Sequence, residues 1–186
     1  MFTGHRGFGR GSLYLGNGAT RCGYPEGFSA TGRQSMSVST HFAAVSMGGL
    51  QLVLTNSYAG TSGEIADGAD TTVTAGIEYP IGTTPTQVLF SGSASGTIPN
   101  GTYILSDWLP ITIPKGEKFR VRIWRANSAG ISTFISAAGH SFALLGESLN
   151  VSTTTSADLT TSTSVPSDNA SGAGYGPCAI LTYMRE

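Results

Sequence analysis

The sequence is short of charge. Asp, Glu, Lys and Arg make up only 11% of its 186 residues, against about 25% in ordinary soluble domains, and the formal net charge is -1. Such a chain has no general attraction for phosphate polymers or anionic bilayers, which argues against a nucleic-acid partner. Lysine is confined to Lys115 and Lys118, and four of the eight arginines (Arg6, Arg10, Arg21 and Arg33) lie near the N-terminus. Cysteine is equally sparse. Cys22 and Cys178 sit near opposite ends without C-x-x-C spacing, so they form neither a metal motif nor a disulfide scaffold. They can be bridged only if the fold brings the ends together, and the simpler expectation is two isolated buried thiols. No apolar run approaches the ~18 residues of a membrane-spanning helix, and the opening MFTGHRGFGRGSLYLGNG has no apolar signal-peptide core. Membrane insertion is therefore not expected.

Small residues fill the place of the missing charge. The chain holds 26 Gly, 23 Ser and 23 Thr, well over a third of its length. Gly costs about 1 kcal/mol in a helix interior, and Ser and Thr draw the backbone toward turns and strands, so a helical bundle is excluded. The 39% of hydrophobic residues, including 8 Phe, 7 Tyr and 2 Trp, are nonetheless enough to bury a core. With room for one domain, the chain is expected to be all-β.

Residues 1–35 carry glycine every few positions without a sustained period and predict an extended N-terminal arm. Phe2, Phe8, Tyr14, Leu15, Tyr24 and Phe28 are its candidate docking anchors, facing a neighbouring subunit or a larger particle. From residue 36 to 186 the pattern becomes short apolar or alternating runs, broken about every ten residues by Gly, Pro, Asn and Asp. This predicts strands near 36–46, 50–58, 71–79, 86–91, 101–105, 109–113, 118–126, 131–135, 140–145 and 177–183, arranged as an antiparallel, jelly-roll-like β-sandwich. In the clearest strand Phe119, Val121 and Ile123 share one face and Arg120, Arg122 and Trp124 the other. The stretch STTTSADLTTSTSVPSDNASG at 152–172 reads on composition as a linker or long loop.

Catalytic chemistry finds little support. No phosphate-binding glycine loop and no metal-ligand spacing occurs, so no cofactor and no metal are expected. Glu64, Asp67 and Asp70 offer hard oxygen ligands for calcium, but their spacing matches no defined loop and a solvated turn is the stronger reading. ALLGESLN at 143–150 looks like the nucleophile block of SGNH (GDSL) hydrolases, with Ser148 in the nucleophile's place. That family needs a late D-x-x-H segment for its base and acid; none is present and Glu147 stands where Asp belongs. Ser148 is read as a strand-end or turn residue, and no catalytic residue is assigned. Arg120, Arg122 and Trp124 are the most suggestive group for binding, since a Trp beside two guanidinium groups can stack on a sugar and pair with its polar groups. The same residue types are enriched at subunit contacts, and packing beneath a second layer is the stronger reading.

Over residues 36–183 the succession HFAAVSMGGLQLVLTNSYAGTSGE, IEYPIG, ILSDWLPITIPKGEKFRVRIWRAN and GYGPCAILTY resembles the N-terminal β-sandwich of SGNH-hydrolase-like proteins of phages and bacteria. Ser106-Asp107, Ile113-Pro114-Lys115-Gly116 and Val121-Arg122 follow one another as that family's strand, turn and strand do. The resemblance implies the sandwich and not the esterase, because the sequence stops at Glu186 where the hydrolase would begin. The expectation is a non-enzymatic structural protein of a phage or phage-like virion: a capsid decoration, spike or fibre component on the exterior surface, assembled in the host cytoplasm. Its expected partners are other virion proteins, copies of itself and host surface polysaccharide. The alternative is a carbohydrate-binding accessory module of an SGNH-type esterase.

Overall fold

The computed structural model describes residues 13–135, 147–164 and 173–185. No helix occurs among them, and the chain is an antiparallel β-sandwich. Its strands are β1 (Leu13–Asn17), β2 (Gly27–Ser29), β3 (Gln34–Phe42), β4 (Gln51–Thr55), β5 (Ser57–Gly60), β6 (Gly63–Ala66), β7 (Thr71–Glu78), β8 (Thr86–Val88), β9 (Ser95–Ile98), β10 (Tyr103–Leu105), β11 (Lys118–Asn127), β12 (Ile131–Ile135), β13 (Ser148–Ser152), β14 (Ala173–Gly174) and β15 (Ala179–Arg185). The larger sheet runs β13-β3-β11-β7-β8, with β9 also paired to β7, and the smaller β1-β15-β4-β10. A β14-β12-β2 sheet and a β5-β6 hairpin complete the pairing.

The alternation read from the sequence locates the core. Phe119, Val121 and Ile123 on β11, beside Val73, Ala75 and Ile77 on β7, are fully buried and meet Leu52, Leu54 and Ile180 of the smaller sheet. Each side chain of this size contributes roughly 1.5–3 kcal/mol on burial, so a charge at Val121 would break the sandwich. Tyr175, in the GYGP segment, ties the two sheets together. Its backbone N–H donates to Ser37 Oγ on β3, Ser37 Oγ–H donates to its carbonyl, and its own hydroxyl donates to the Thr55 carbonyl on β4 at 2.7 Å. The predicted strand over 50–58 is split at Asn56, whose buried amide donates to the carbonyls of Ala69 and Ile98 while its oxygen accepts from Thr71.

The expected strand at 109–113 is reduced to two isolated bridges, Leu109 to Leu50 and Ile113 to Met47, because Pro110 and Pro114 supply no N–H to a ladder. The expected strand at 140–145 lies outside the described residues. Within the segment read as an arm, β1 pairs along its whole length with β15, and β2 pairs with β12. Residues 153–164, read from composition as linker or loop, lie as a strap across the outer face of the larger sheet.

Candidate assembly surface

The outer face of the smaller sheet is largely apolar and open along its two outer strands, β1 and β10, and at Tyr183. Strand register places Leu15 opposite Tyr183, Leu181 opposite Gln51, Ala179 opposite Val53, and Val53 opposite Leu105, which makes one face across four strands. Leu13 is 60% exposed, Tyr183 57% and Tyr103 66%, with Leu15, Leu105 and Trp108 also open. The Trp108 ring leans on Tyr183 at 5.0 Å between centroids. It lies so close to Gly49 that a Cβ there would stand 2.5 Å from the indole, so only glycine fits beneath it. The exposed parts of these six side chains amount to roughly 600 Å², at the upper end of the largest patch on an ordinary monomer and near the ~800 Å² each partner buries in a stable complex.

Strand β1 adds a free edge. It lies at the end of its sheet with no second partner among the described residues, and LYLGN carries no charge or proline to discourage pairing. Tyr14, on the opposite face from Leu13 and Leu15, is also exposed. Behind it Tyr14, Leu13, Tyr183 and Met184 line an open cleft of about 370 Å³ with Val45 and Ser46.

The six proposed anchors therefore part company. Tyr14 and Leu15 stand exposed on β1. Tyr24 hydrogen-bonds Ser57, and Phe28 stacks on Tyr58 at 5.1 Å, so these two dock on the chain's own body. Phe2 and Phe8 lie outside the described residues. Leu13, Tyr103, Leu105, Trp108 and Tyr183 were missed by sequence reasoning. The period-two spacing of Leu13 and Leu15 was the available signal, hidden among closely spaced glycines.

Arg120, Arg122 and Trp124 do share the face of β11 opposite the core, as their spacing predicts, but this face is covered. Arg122 is 1% exposed. Its Nε and Nη2 donate to Glu78 Oε2 at 2.9 and 2.7 Å, and its Nη1 donates to the carbonyl of Ser164 at 2.5 Å. Arg120, half-buried, reaches the other Glu78 oxygen at 3.4 Å, and Gly82 N–H donates to it at 2.6 Å. The half-buried Trp124 donates its indole N–H to the Ser156 carbonyl. The covering layer read as the stronger alternative for this group is the strap, which lies over it. Gly76 permits that approach, since a Cβ there would meet the Thr160 carbonyl oxygen at 2.1 Å.

Ser148 opens β13 opposite Val38, on the strap side of the sheet, whereas His41 pairs with Phe119 on the core side. The two side chains point to opposite faces, so no Ser–His relay joins them. His41 donates to or accepts from the Thr20 carbonyl and Ser39 hydroxyl through its two ring nitrogens. The carbonyl accepts only, so Nδ1 carries the proton and Nε2 accepts from Ser39. Burial pushes its pKa down to about 4. Glu147 accepts the Thr40 N–H at 2.7 Å and pairs with Arg21 at 2.8 Å, while burial raises its pKa.

Glu64, Asp67 and Asp70 do not gather. Asp67 is buried, contrary to the solvated turn expected, and accepts the Ser132 N–H; Asp70 caps the Asn100 N–H, and Glu64 is exposed on β6. No group of three or more acidic, His or Cys side chains suited to a metal occurs among the described residues. No helix among them is long and apolar enough to cross a membrane. No protein-family model matches the chain, and no curated protein is significantly similar to it.

Proposed function

We propose that the chain is a non-enzymatic structural component of a phage or phage-like virion, a decoration, spike or fibre subunit that meets copies of itself through the outer face of its β1-β15-β4-β10 sheet. The observation that carries this reading is the uncharged free edge of β1 continuous with an apolar face led by Leu13, Leu15 and Tyr183. An open edge of this kind takes a further strand by backbone hydrogen bonds, and its side chains supply the burial. The low charge and the resemblance over residues 36–183 supply the virion context.

Sedimentation of the full chain tests the contact. The wild type is expected to associate at micromolar concentration and Leu15→Glu to sediment as a monomer with an unchanged β-sheet circular dichroism spectrum. A monomeric wild type at high concentration refutes the contact. Proteomics and electron microscopy of purified particles test the setting, and absence of the chain from them refutes the virion role.

A second reading, glycan engagement either on a virion or as an accessory module, is favoured by the exposed Trp108–Tyr183 pair. Paired aromatic faces beside open solvent suit stacking on a sugar ring. Saturable binding on a glycan array, lost in Trp108→Ala and kept in Trp124→Phe, supports it; absence of any glycan signal removes it and leaves the structural role standing.

A further inference from the structure

We propose that a second copy of the chain joins edge to edge, β1 against β1, antiparallel about a two-fold axis that passes beside Leu15. This geometry rests on the self-association proposed above and gives it a register and a symmetry. The backbone of β1 sets the direction of its free groups. Residues of β1 and β15 face each other from Leu13 opposite Arg185 to Asn17 opposite Leu181, and Gly18 N–H donates to the Ile180 carbonyl at 2.8 Å in that same register. Along an antiparallel ladder, residues that bond the partner strand alternate with residues that do not. Counting back from Gly18, Gly16 and Tyr14 turn their N–H and C=O toward β15, and Leu13, Leu15 and Asn17 turn theirs to the open edge. No strand pairs with that side among the described residues, and Leu13, Tyr14, Leu15 and Asn17 are all exposed.

The spacing of these groups selects one register for the copy. With the axis at Leu15, that residue exchanges hydrogen bonds with the second copy's Leu15, and Leu13 of each strand exchanges them with Asn17 of the other. Every outward N–H and C=O of both strands then has a partner. An axis at Tyr14 or Gly16 leaves an end residue of each β1 with no counterpart in the other β1, and an axis between two residues sets outward groups against inward ones.

The side chains favour the same register. Tyr14 of each copy falls opposite Gly16 of the other, in a pair without hydrogen bonds, where facing Cα atoms approach to about 4.5 Å. Gly16 has no side chain to block the ring, and the Met184 methyl, lying where such a side chain would stand, gives the ring a polarisable apolar seat. An axis at Tyr14 would instead set ring against ring. The strand LYLGN carries no charge, so no like-charge pair opposes the approach. The axis stands perpendicular to the sheet, which keeps Leu13, Leu15 and Tyr183 of both copies on one side and joins the two apolar faces into one. Such a contact is isologous and consumes the edge, so pairing through β1 ends with two chains.

Cysteine cross-linking of the full chain reads the register. Leu13→Cys, Leu15→Cys and Asn17→Cys are made singly, checked for an unchanged circular dichroism spectrum, and oxidised. Peptide mapping by mass spectrometry separates the new links from any made by the half-buried Cys22 and Cys178. Leu15→Cys is expected to form a covalent dimer through position 15, because facing hydrogen-bonded residues have Cα atoms about 5.5 Å apart, within the roughly 4.4–6.8 Å that a disulfide spans. Leu13→Cys should not link to itself, since its two copies lie about 13 Å apart along the strands; mixed with Asn17→Cys it should link position 13 to position 17. Leu15→Cys left unlinked while the wild type sediments as a dimer overturns the register and leaves self-association standing. So does a self-linked Asn17→Cys, or a preferred link between Leu13→Cys and Leu15→Cys. A monomeric wild type overturns both.

Discussion

Histidine 41 should make the protein acid-sensitive, by an amount that its burial sets. Its side chain is fully enclosed against Phe119, and Nδ1 and Nε2 are engaged by the Thr20 carbonyl and the Ser39 hydroxyl. Protonation would place a charge in the apolar space between the sheets, which is the main reason the folded pKa falls from the ordinary 6.5 to about 4; the nearby Arg21 charge adds to the fall and the Thr20 carbonyl opposes it. The unfolded chain takes up its proton near pH 6.5 and the folded chain only near pH 4. Above 6.5 neither form is protonated and the histidine adds no pH dependence. Between the two values the unfolded state holds more protons, so stability falls as the pH falls. At about 1.4 kcal/mol per pH unit the loss reaches about 3 kcal/mol by pH 4. Denaturant unfolding at half-unit intervals from pH 8 to pH 4 measures it, on the wild type and on His41→Gln, which keeps a donor and an acceptor but does not titrate. Subtraction cancels the carboxylates, among them Glu147 and Asp67, whose raised pKa values act with the opposite sign over their own ranges. The wild-type advantage should be level above pH 6.5 and shrink by about 3 kcal/mol down to pH 4. Parallel curves, or an NMR titration of His41 centred at 6.5, would refute the reasoning.

Three further outcomes follow from the strap and the core. Arg122→Ala leaves Glu78 buried without its closest charged partner and should cost about 3–5 kcal/mol in urea unfolding, much of it recovered by the double change Arg122→Met and Glu78→Gln; a loss below about 1 kcal/mol would contradict the buried pair. Gly76→Ala forces a methyl into the Thr160 carbonyl, so the strap should lift, with a cost of about 1–3 kcal/mol and new proteolytic cleavage within residues 153–164. Tyr175→Phe removes the hydroxyl that bonds Thr55 and should cost about 1–3 kcal/mol with no change in fold; equal melting temperatures would show that this tie between the sheets contributes nothing.

The elements legible in the sequence are those where one physical signal dominates. On β11 the alternation of Phe119, Val121 and Ile123 with Arg120, Arg122 and Trp124 gave both the strand and its core face. A covering layer was the stronger reading of the opposite face, but its identity as residues 153–164 was not legible, since no residue type in that small polar stretch points to β11. Pro110 and Pro114 interrupt a stretch whose apolar residues alone read as a strand. Ser95–Ile98 (β9) and Ser148–Ser152 (β13) were passed over because SGTI and SLNVS carry few apolar residues, and their place is set by pairing with β7 and β3. The candidate assembly surface was half legible. Leu15 was named from the arm, but Tyr183, with Trp108 leaning on it, joins it only because β15 lies beside β1.

The strap also accounts for its own odd composition. The larger sheet holds it largely through main-chain carbonyls, those of Ser156, Leu159 and Ser164, which accept from Trp124 and Arg122. A carbonyl is the same whatever side chain follows it, so most positions in STTTSADLTTSTS are free to drift among small residues without disturbing the face beneath. Asp158 and Thr160 are exceptions, since the Asp158 carboxylate accepts from Thr74 and from the hydroxyl of Thr160, which is itself buried. A saturation library across 153–164 would thus tolerate wide exchange at its exposed serines and threonines and narrow exchange at Asp158 and Thr160, while insertions, which would move the carbonyls off Arg122 and Trp124, would be selected against.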